Sequence, residues 1–398
     1  MNKILIGGLC ASLIAGLSAC NNHSADIKTH DTNKTATAAE ISKALGSGIE
    51  FANFDKSVRP QDDFYSYVNG TWFNNTEIPS DRTSTGAFYD LREKSRDDIK
   101  AIIEEVTATA KLAAGSDEQK VADLYRSFMD IETLNKLGTE PIQRELDKID
   151  ALKTKDALVS YFADSQMIGS NTPLGFYIDV DAKNSSRYAT HIWQYGLSLP
   201  EKDYYFNEGE RFINIRQAYV KHIEKMFTLA GLSSPKTSAE QVLALETAIA
   251  DRHWDVVETR DSTKIYNLMS IKELTALAPD IDWAGYLSTL GIEKQQDIII
   301  NQPSYIKGFN EVFKSNKLTV WKTYMKWKIL THFASEMSTD FDNENFDFFF
   351  KILNGQAEAE PRWKRGVSTV NNVLGAYVST HFDQNMNSSH FYTFRSLR

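Results

Sequence analysis

Cysteine is confined to two positions of the 398, Cys10 and Cys20, both ahead of any stretch patterned to fold. The folded body therefore has neither a disulfide nor a thiolate metal site. Positive charge is in the minority, with 44 Lys+Arg against 53 Asp+Glu and a net charge of −9. No basic run offers the counterion-releasing footprint that a nucleic acid requires, so nucleic-acid binding is excluded. Gly-x-Ser-x-Gly, a Lys-Ser/Thr phosphate loop and Gly-x-Gly-x-x-Gly are all missing, which removes serine hydrolase, nucleotide triphosphatase and dinucleotide chemistry. The histidines stand at 23, 30, 191, 222, 253, 332, 381 and 390, and no two are four apart, so His-Glu-x-x-His is absent too. His222 and His253 could each ligate a metal in principle, but a solitary helical histidine reads as a structural residue. What is present is apolar: 42% hydrophobic and 12% aromatic residues suffice for a large core and exclude general disorder.

The first residues read as an address. Met1-Asn2-Lys3 carries one positive charge, and Ile4 to Leu17 is apolar but too short to span a bilayer. Leu17-Ser18-Ala19-Cys20 resembles the bacterial lipobox, in which the cysteine is acylated and becomes the mature N-terminus. This predicts a lipoprotein signal over residues 1–19, a lipid anchor at Cys20 and, because Asn21 and Asn22 rather than Asp follow, the outer membrane of a bacterial envelope, facing the periplasm. Residues 20–48 are polar and poor in large apolar side chains, and are expected to form a flexible tether.

From about residue 86 the dominant period is helical. Trp363, Val367, Val370, Leu374, Tyr377 and Val378 fall on one helix face, as do Ile215, Tyr219, Ile223, Met226 and Ala230. Leu318, Trp321, Met325, Ile329 and His332-Phe333 repeat the pattern over 318–337. Ser116 to Gln119 and Thr237 to Glu240 have capping-box spacing. About a dozen helices are expected. Leu174 to Asp181, a turn over Ala182 to Ser186, and Arg187 to Leu197 predict a β-hairpin, with Ile298-Ile299-Ile300 as one further short strand. The run Phe346 to Phe350 reads as core, and the acidic pairs Asp62-Asp63, Asp97-Asp98 and Glu104-Glu105 as solvated faces.

Five motifs in order resemble one family. Pro60-Gln61-Asp62-Asp63-Phe64-Tyr65-Ser66-Tyr67-Val68-Asn69-Gly70-Thr71-Trp72, with Ile78-Pro79, Gly86 and Phe88, is similar to the opening of the neprilysin and endothelin-converting-enzyme zinc metallopeptidases. Gly196-Leu197-Ser198-Leu199-Pro200 with Asp203-Tyr204-Tyr205, then Arg260-Asp261 with Lys264-Ile265-Tyr266-Asn267, Trp321 to Tyr324, and Pro361 to Arg365 follow in family order. The resemblance spans about residues 50 to 382.

That resemblance implies a mainly α, multi-helix cap-type domain with a small β-hairpin over 49–382, and a divergent tail over 383–398. It implies peptides as substrates and zinc as the cofactor of the intact enzyme. The family's His-Glu-x-x-His helix, its third ligand Glu and its Asn-Ala-Tyr/Phe segment belong to a second half that this sequence does not contain. The chain is therefore expected to hold no metal or catalytic residue of its own and to be inactive alone. The other readings are a non-catalytic lipoprotein that binds peptides or partners, and a half completed in trans by a second chain. Two family positions can be followed: an arginine that meets the substrate carboxylate, replaced here by Ser84, and a substrate-facing arginine matched by Arg92.

Overall fold

The computed structural model describes residues 48–385; Cys20, the signal over 1–19, nearly all of the tether and residues 386–398 lie outside them. The chain divides into two compact units, Met1–Thr76 and Glu77–Arg398. In the first, a 3-10 turn at Phe51–Asn53 precedes the helix Phe64–Asn75. Asp63, one of the acids read as solvated, caps that helix by accepting from the Ser66 amide at 2.9 Å and its hydroxyl at 2.7 Å. Thr71 donates to the Phe54 carbonyl at 2.8 Å, and Phe54 meets Tyr67 edge-on at 5.2 Å. The opening motif is thus a self-contained helix and strap.

The second unit is helical around one small sheet. Across both units the described residues include fifteen α-helices, several of a single turn or two. The helix Leu318–His332 runs through the larger core with Trp321, Tyr324, Met325, Trp327, Lys328, Ile329 and Leu330 all buried. A helix buried on most of its sides has to be central, which is why the simple stripe expected over 318–337 is too narrow. That helix also stops at His332, and a 3-10 turn at Ala334–Glu336 follows. Glu210–Leu229 buries the expected face through Ile215, Tyr219, Ile223 and Met226, whereas Arg362–Asn385, kinked at Leu374, buries Val367, Val370 and Val378 but leaves Tyr377 exposed. A smaller core gathers the helices Ala87–Ala108, Asp117–Met129 and Arg362–Asn385 around Ile103, Ala122, Val367 and Val370.

The hairpin forms as expected, with β1 at Leu174–Asp181 and β2 at Asn184–Gln194, although the connection is tighter than the expected five-residue turn. The antiparallel register runs from Leu174 opposite Gln194 to Val180 opposite Tyr188, with a bulge before Asp181. Two short strands complete a sheet of order β1-β2-β4-β3, where β3 is Asn267–Ser270 and β4 is Asp297–Ile300. β4 lies parallel to β2 and antiparallel to β3. Ile298, Ile299 and Ile300 are all fully buried, as a strand paired on both sides requires.

Two local expectations are corrected. The helix expected to cap at Thr237 starts earlier, at Pro235, with Ser234 in the left-handed region at φ 53°. Proline's preset φ suits the first helical position and decides the start. The complete capping box lies instead at Ser270, whose hydroxyl accepts from the Glu273 amide while Glu273 accepts from the Ser270 amide at 2.8 Å. The Phe346 to Phe350 run is a π-helical turn spanning Phe346–Ile352, with Phe348 buried and Phe350 exposed, so it is core on one side only.

Candidate functional site

A single buried charge pair organises the second unit. Glu246 lies on the apolar stripe of the helix Pro235–Ala250, between Val242 and Ile249, and its side chain is 0% exposed. Its Oε1 accepts from Lys328 Nζ at 2.7 Å and Ser198 Oγ at 2.7 Å, and its Oε2 from the hydroxyls of Tyr205 at 2.8 Å and Tyr219 at 2.7 Å. Four donors satisfy the carboxylate, which is the condition for burying it without a large penalty. Burial lowers the Lys328 pKa, opposed by the Glu246 charge. Trp327 Nε1 closes the network on Ser198 at 3.0 Å and on Tyr219 at 2.9 Å. Composition and spacing gave no warning of this pair, but one signal was available: a carboxylate on an otherwise apolar helix stripe.

The ordered motifs prove to be tethers between elements. Ser198 and Tyr205 meet Glu246, and Tyr324 donates to the Gly196 carbonyl at 2.7 Å. Gly196 itself sits at φ +94°, where an added Cβ would lie 2.7 Å from both Pro173 Cα and the Tyr324 hydroxyl. Tyr266 donates to Asp181 at 2.8 Å, and Arg187 joins Asp181 at 2.8 Å to Asp297 at 3.1 Å, binding the hairpin end to β4. The Lys183 amide, then Tyr266 and Arg187, hold the Asp181 carboxyl down at about 2 against the opposing effect of burial. Arg362 donates to the Phe128 carbonyl at 2.8 Å, and Lys364 bridges Asp81 at 2.9 Å and Glu93 at 2.8 Å.

Of the residues singled out from sequence, Arg92 and Ser84 meet at Tyr89, while His222 and His253 lie apart from them and from each other. Arg92 is exposed on the helix Ala87–Ala108, its guanidinium 4.6 Å from the Tyr89 ring centroid, and Ser84 donates to the Tyr89 hydroxyl. Gly86 caps that helix at φ +152° and ψ 175°, a conformation essentially restricted to glycine. His222 is buried, stacks on Phe348 at 4.8 Å and donates from Nδ1 to Glu344 at 2.9 Å; burial pulls its pKa down, against the pull of Glu344. His253 packs edge-on against Tyr305 at 4.9 Å and donates from Nε2 to the Tyr195 carbonyl at 3.3 Å; burial lowers its pKa to about 4. Among the described residues, no three His, Cys, Asp or Glu side chains converge to hold a metal ion. No described helix is long and apolar enough to cross a membrane.

A cleft of about 490 Å³ opens where β2 leaves the sheet. Trp193, Tyr195, Leu199 and Pro200 line one stretch of it, and His253 to Val257 with Thr259 another. Its two sides are clamped together by Gln194, which accepts from the Trp254 amide at 2.7 Å and donates to the Trp254 carbonyl at 3.0 Å. Trp254 is fixed further by Nε1 donating to Ser304 at 2.6 Å. Such reciprocal pairing leaves the loop little freedom, so the cleft is preformed.

A mainly helical body with one small mixed sheet, tied together by its sequence motifs, is a fold shared with a metallopeptidase of known structure. The zinc metalloprotease Zmp1 of Mycobacterium tuberculosis, solved with an inhibitor, superposes with a TM-score of 0.80 at 33% identity, over 85% of this chain and 52% of that one. Endothelin-converting enzyme 1 of Cavia porcellus is 27% identical over 379 residues, 92% of this chain and 50% of its own length. Neprilysin-3 of Drosophila melanogaster is 26% identical over 356 residues, with 83% and 44% covered. The chain belongs to peptidase family M13, whose profile matches residues 60–390. It spans about half the length of the curated relatives it matches.

Proposed function

We infer that this chain supplies the helical N-terminal half of an M13 zinc endopeptidase acting on peptides, and that hydrolysis needs a second half carrying His-Glu-x-x-His. What carries the reading is the span of the match: nearly the whole chain aligns with relatives of which it covers only about half. Among the described residues the donors do not fit zinc. His222 faces one carboxylate and three aromatic rings, and His253 faces a backbone carbonyl and Tyr305. In this reading the half contributes framework and enclosure. Arg92 is the substrate-facing position in this reading, and Cys20 the lipid anchor that holds the protein at the periplasmic face of an outer membrane.

The test is to purify the full chain, measure bound zinc by mass spectrometry and assay cleavage of quenched fluorescent peptides. The expected result is neither stoichiometric zinc nor turnover. Co-expression with the zinc-bearing half of a relative such as Zmp1 is expected to yield a complex. Tight stoichiometric zinc together with peptide cleavage by the chain alone would overturn the reading. A cooperatively melting monomer that binds peptides and ignores a second half would favour the non-catalytic binding protein instead.

A further inference from the structure

The preformed cleft at the end of β2 has no part in the framework role, and its chemistry is selective. One surface is aromatic, with the rings of Trp193 and Tyr195 stacked at 4.9 Å, and the Tyr195 hydroxyl has no hydrogen-bond partner among the described residues. His253, 9% exposed, supplies an acceptor. A carbonyl can only accept, so the contact with Tyr195 places the proton on Nε2 and leaves a lone pair on Nδ1. That nitrogen too has no partner among the described residues.

The charges point the same way. Glu201, Asp203 and Asp255 line the cleft against the single cation Lys202. Lys202 is already engaged, by the His253 carbonyl at 3.3 Å and Asp255 at 3.6 Å, whereas Glu201 and Asp203 have no ion-pair partner among the described residues. Aromatic faces, a neutral nitrogen acceptor and surplus carboxylate together attract a cation carried on an apolar stem and repel an anion.

We propose that this cleft binds the guanidinium or ammonium end of an arginine or lysine side chain presented by a peptide. That the bearer is a peptide rests on the metallopeptidase reading, whereas the selection of a cation stands on the cleft alone.

Calorimetric titration of the full chain with N-acetyl-arginine amide, N-acetyl-lysine amide and N-acetyl-citrulline amide tests it, since citrulline keeps the stem and loses the charge. Saturable binding of the two cations is expected, with citrulline weaker by roughly tenfold or more, as for the loss of one desolvated cation–π and ion contact. Glu201 is half-buried and Asp203 exposed, and Glu201→Gln with Asp203→Asn is expected to weaken arginine amide by a similar factor without disturbing the circular dichroism spectrum. Trp193→Phe, which keeps an aromatic face, is expected to retain binding better than Trp193→Leu. Equal affinity for citrulline and arginine amides, or no saturable heat at all, would overturn the proposal. Because the titration needs neither zinc nor turnover, its failure is distinguishable from failure of the peptidase reading.

Discussion

Replacing Glu246 by glutamine removes one charge while conserving shape. The amide oxygen can still accept from Ser198 and Lys328 and no cavity opens, although the amide nitrogen offers no acceptor to the Tyr205 and Tyr219 hydroxyls. What is lost is the counter-charge of Lys328, whose side chain is 3% exposed. Breaking one side of a buried pair typically costs about 3–5 kcal/mol, and the retained hydrogen bonds place Glu246→Gln near the lower end, about 3 kcal/mol. The double variant Glu246→Gln with Lys328→Met removes the stranded ammonium and is expected to be more stable than the single one. The sign with pH is also fixed. Burial holds the Lys328 pKa below its ordinary value in the folded state, so the unfolded chain binds the extra proton between the two values and stability rises with pH. The deficit of Glu246→Gln should therefore shrink from pH 7 towards pH 9.5. Urea denaturation followed by tryptophan fluorescence measures all three quantities. A single variant within about 1 kcal/mol of the parent chain, or a double variant less stable than the single one, would refute the assignment of this pair as the organising charge.

Three further outcomes are expected. His253 has its pKa lowered to about 4 by burial, so the unfolded chain binds more protons between that value and 6.5, and stability is lost as pH falls through this window. The contribution is on the order of 3 kcal/mol, and the difference between the parent chain and His253→Asn should flatten the acid limb of a stability profile if the argument holds. Gly196→Ala puts a Cβ against Pro173 and Tyr324 at a left-handed backbone angle, and should lower the denaturation midpoint by the equivalent of about 2–4 kcal/mol, whereas Gly115→Ala, with nothing within 4 Å, should lose less. Metabolic labelling with a radioactive fatty acid should mark the protein in a bacterial host and fail for Cys20→Ser; an unlabelled parent chain would exclude the lipid anchor, and a labelled serine variant would exclude Cys20 as its site.

Much of the fold is legible in local pattern because helix and strand periods are local quantities. Val367 and Val370 recur at the spacing that a helix turns into one face, and that face is buried. The β1–β2 hairpin is legible because its two strands are neighbours in the chain. β3 is not, since Asn267 to Ser270 has no period of its own and becomes a strand only because Ile298 to Ile300 offers it an edge. The capping box at Ser270 was as visible as the one expected at Thr237, and Pro235 decided between starts that spacing alone could not rank.

The candidate sites divide in the same way. The five ordered motifs were plain in the sequence, and they carried the family. Their physical role was not plain, because Ser198, Tyr205 and Lys328 lie 48, 41 and 82 positions from Glu246. Nor could spacing show that Gln194 clamps Trp254, sixty positions away, and so shapes the cleft.

By itself the sequence determined which stretches are helical, where the hairpin turns, which family the chain joins and which metal motif its residues lack. Those properties depend on residue type and near-neighbour spacing. Tertiary structure alone decided that a helical glutamate is fully buried against a lysine, and that β2 runs parallel to β4. It also decided that two aromatic rings, a histidine and three carboxylates share one cleft. Burial and charge pairing are set by distant segments brought into contact; the local pattern marks at most a carboxylate on an apolar helix stripe and never its partner.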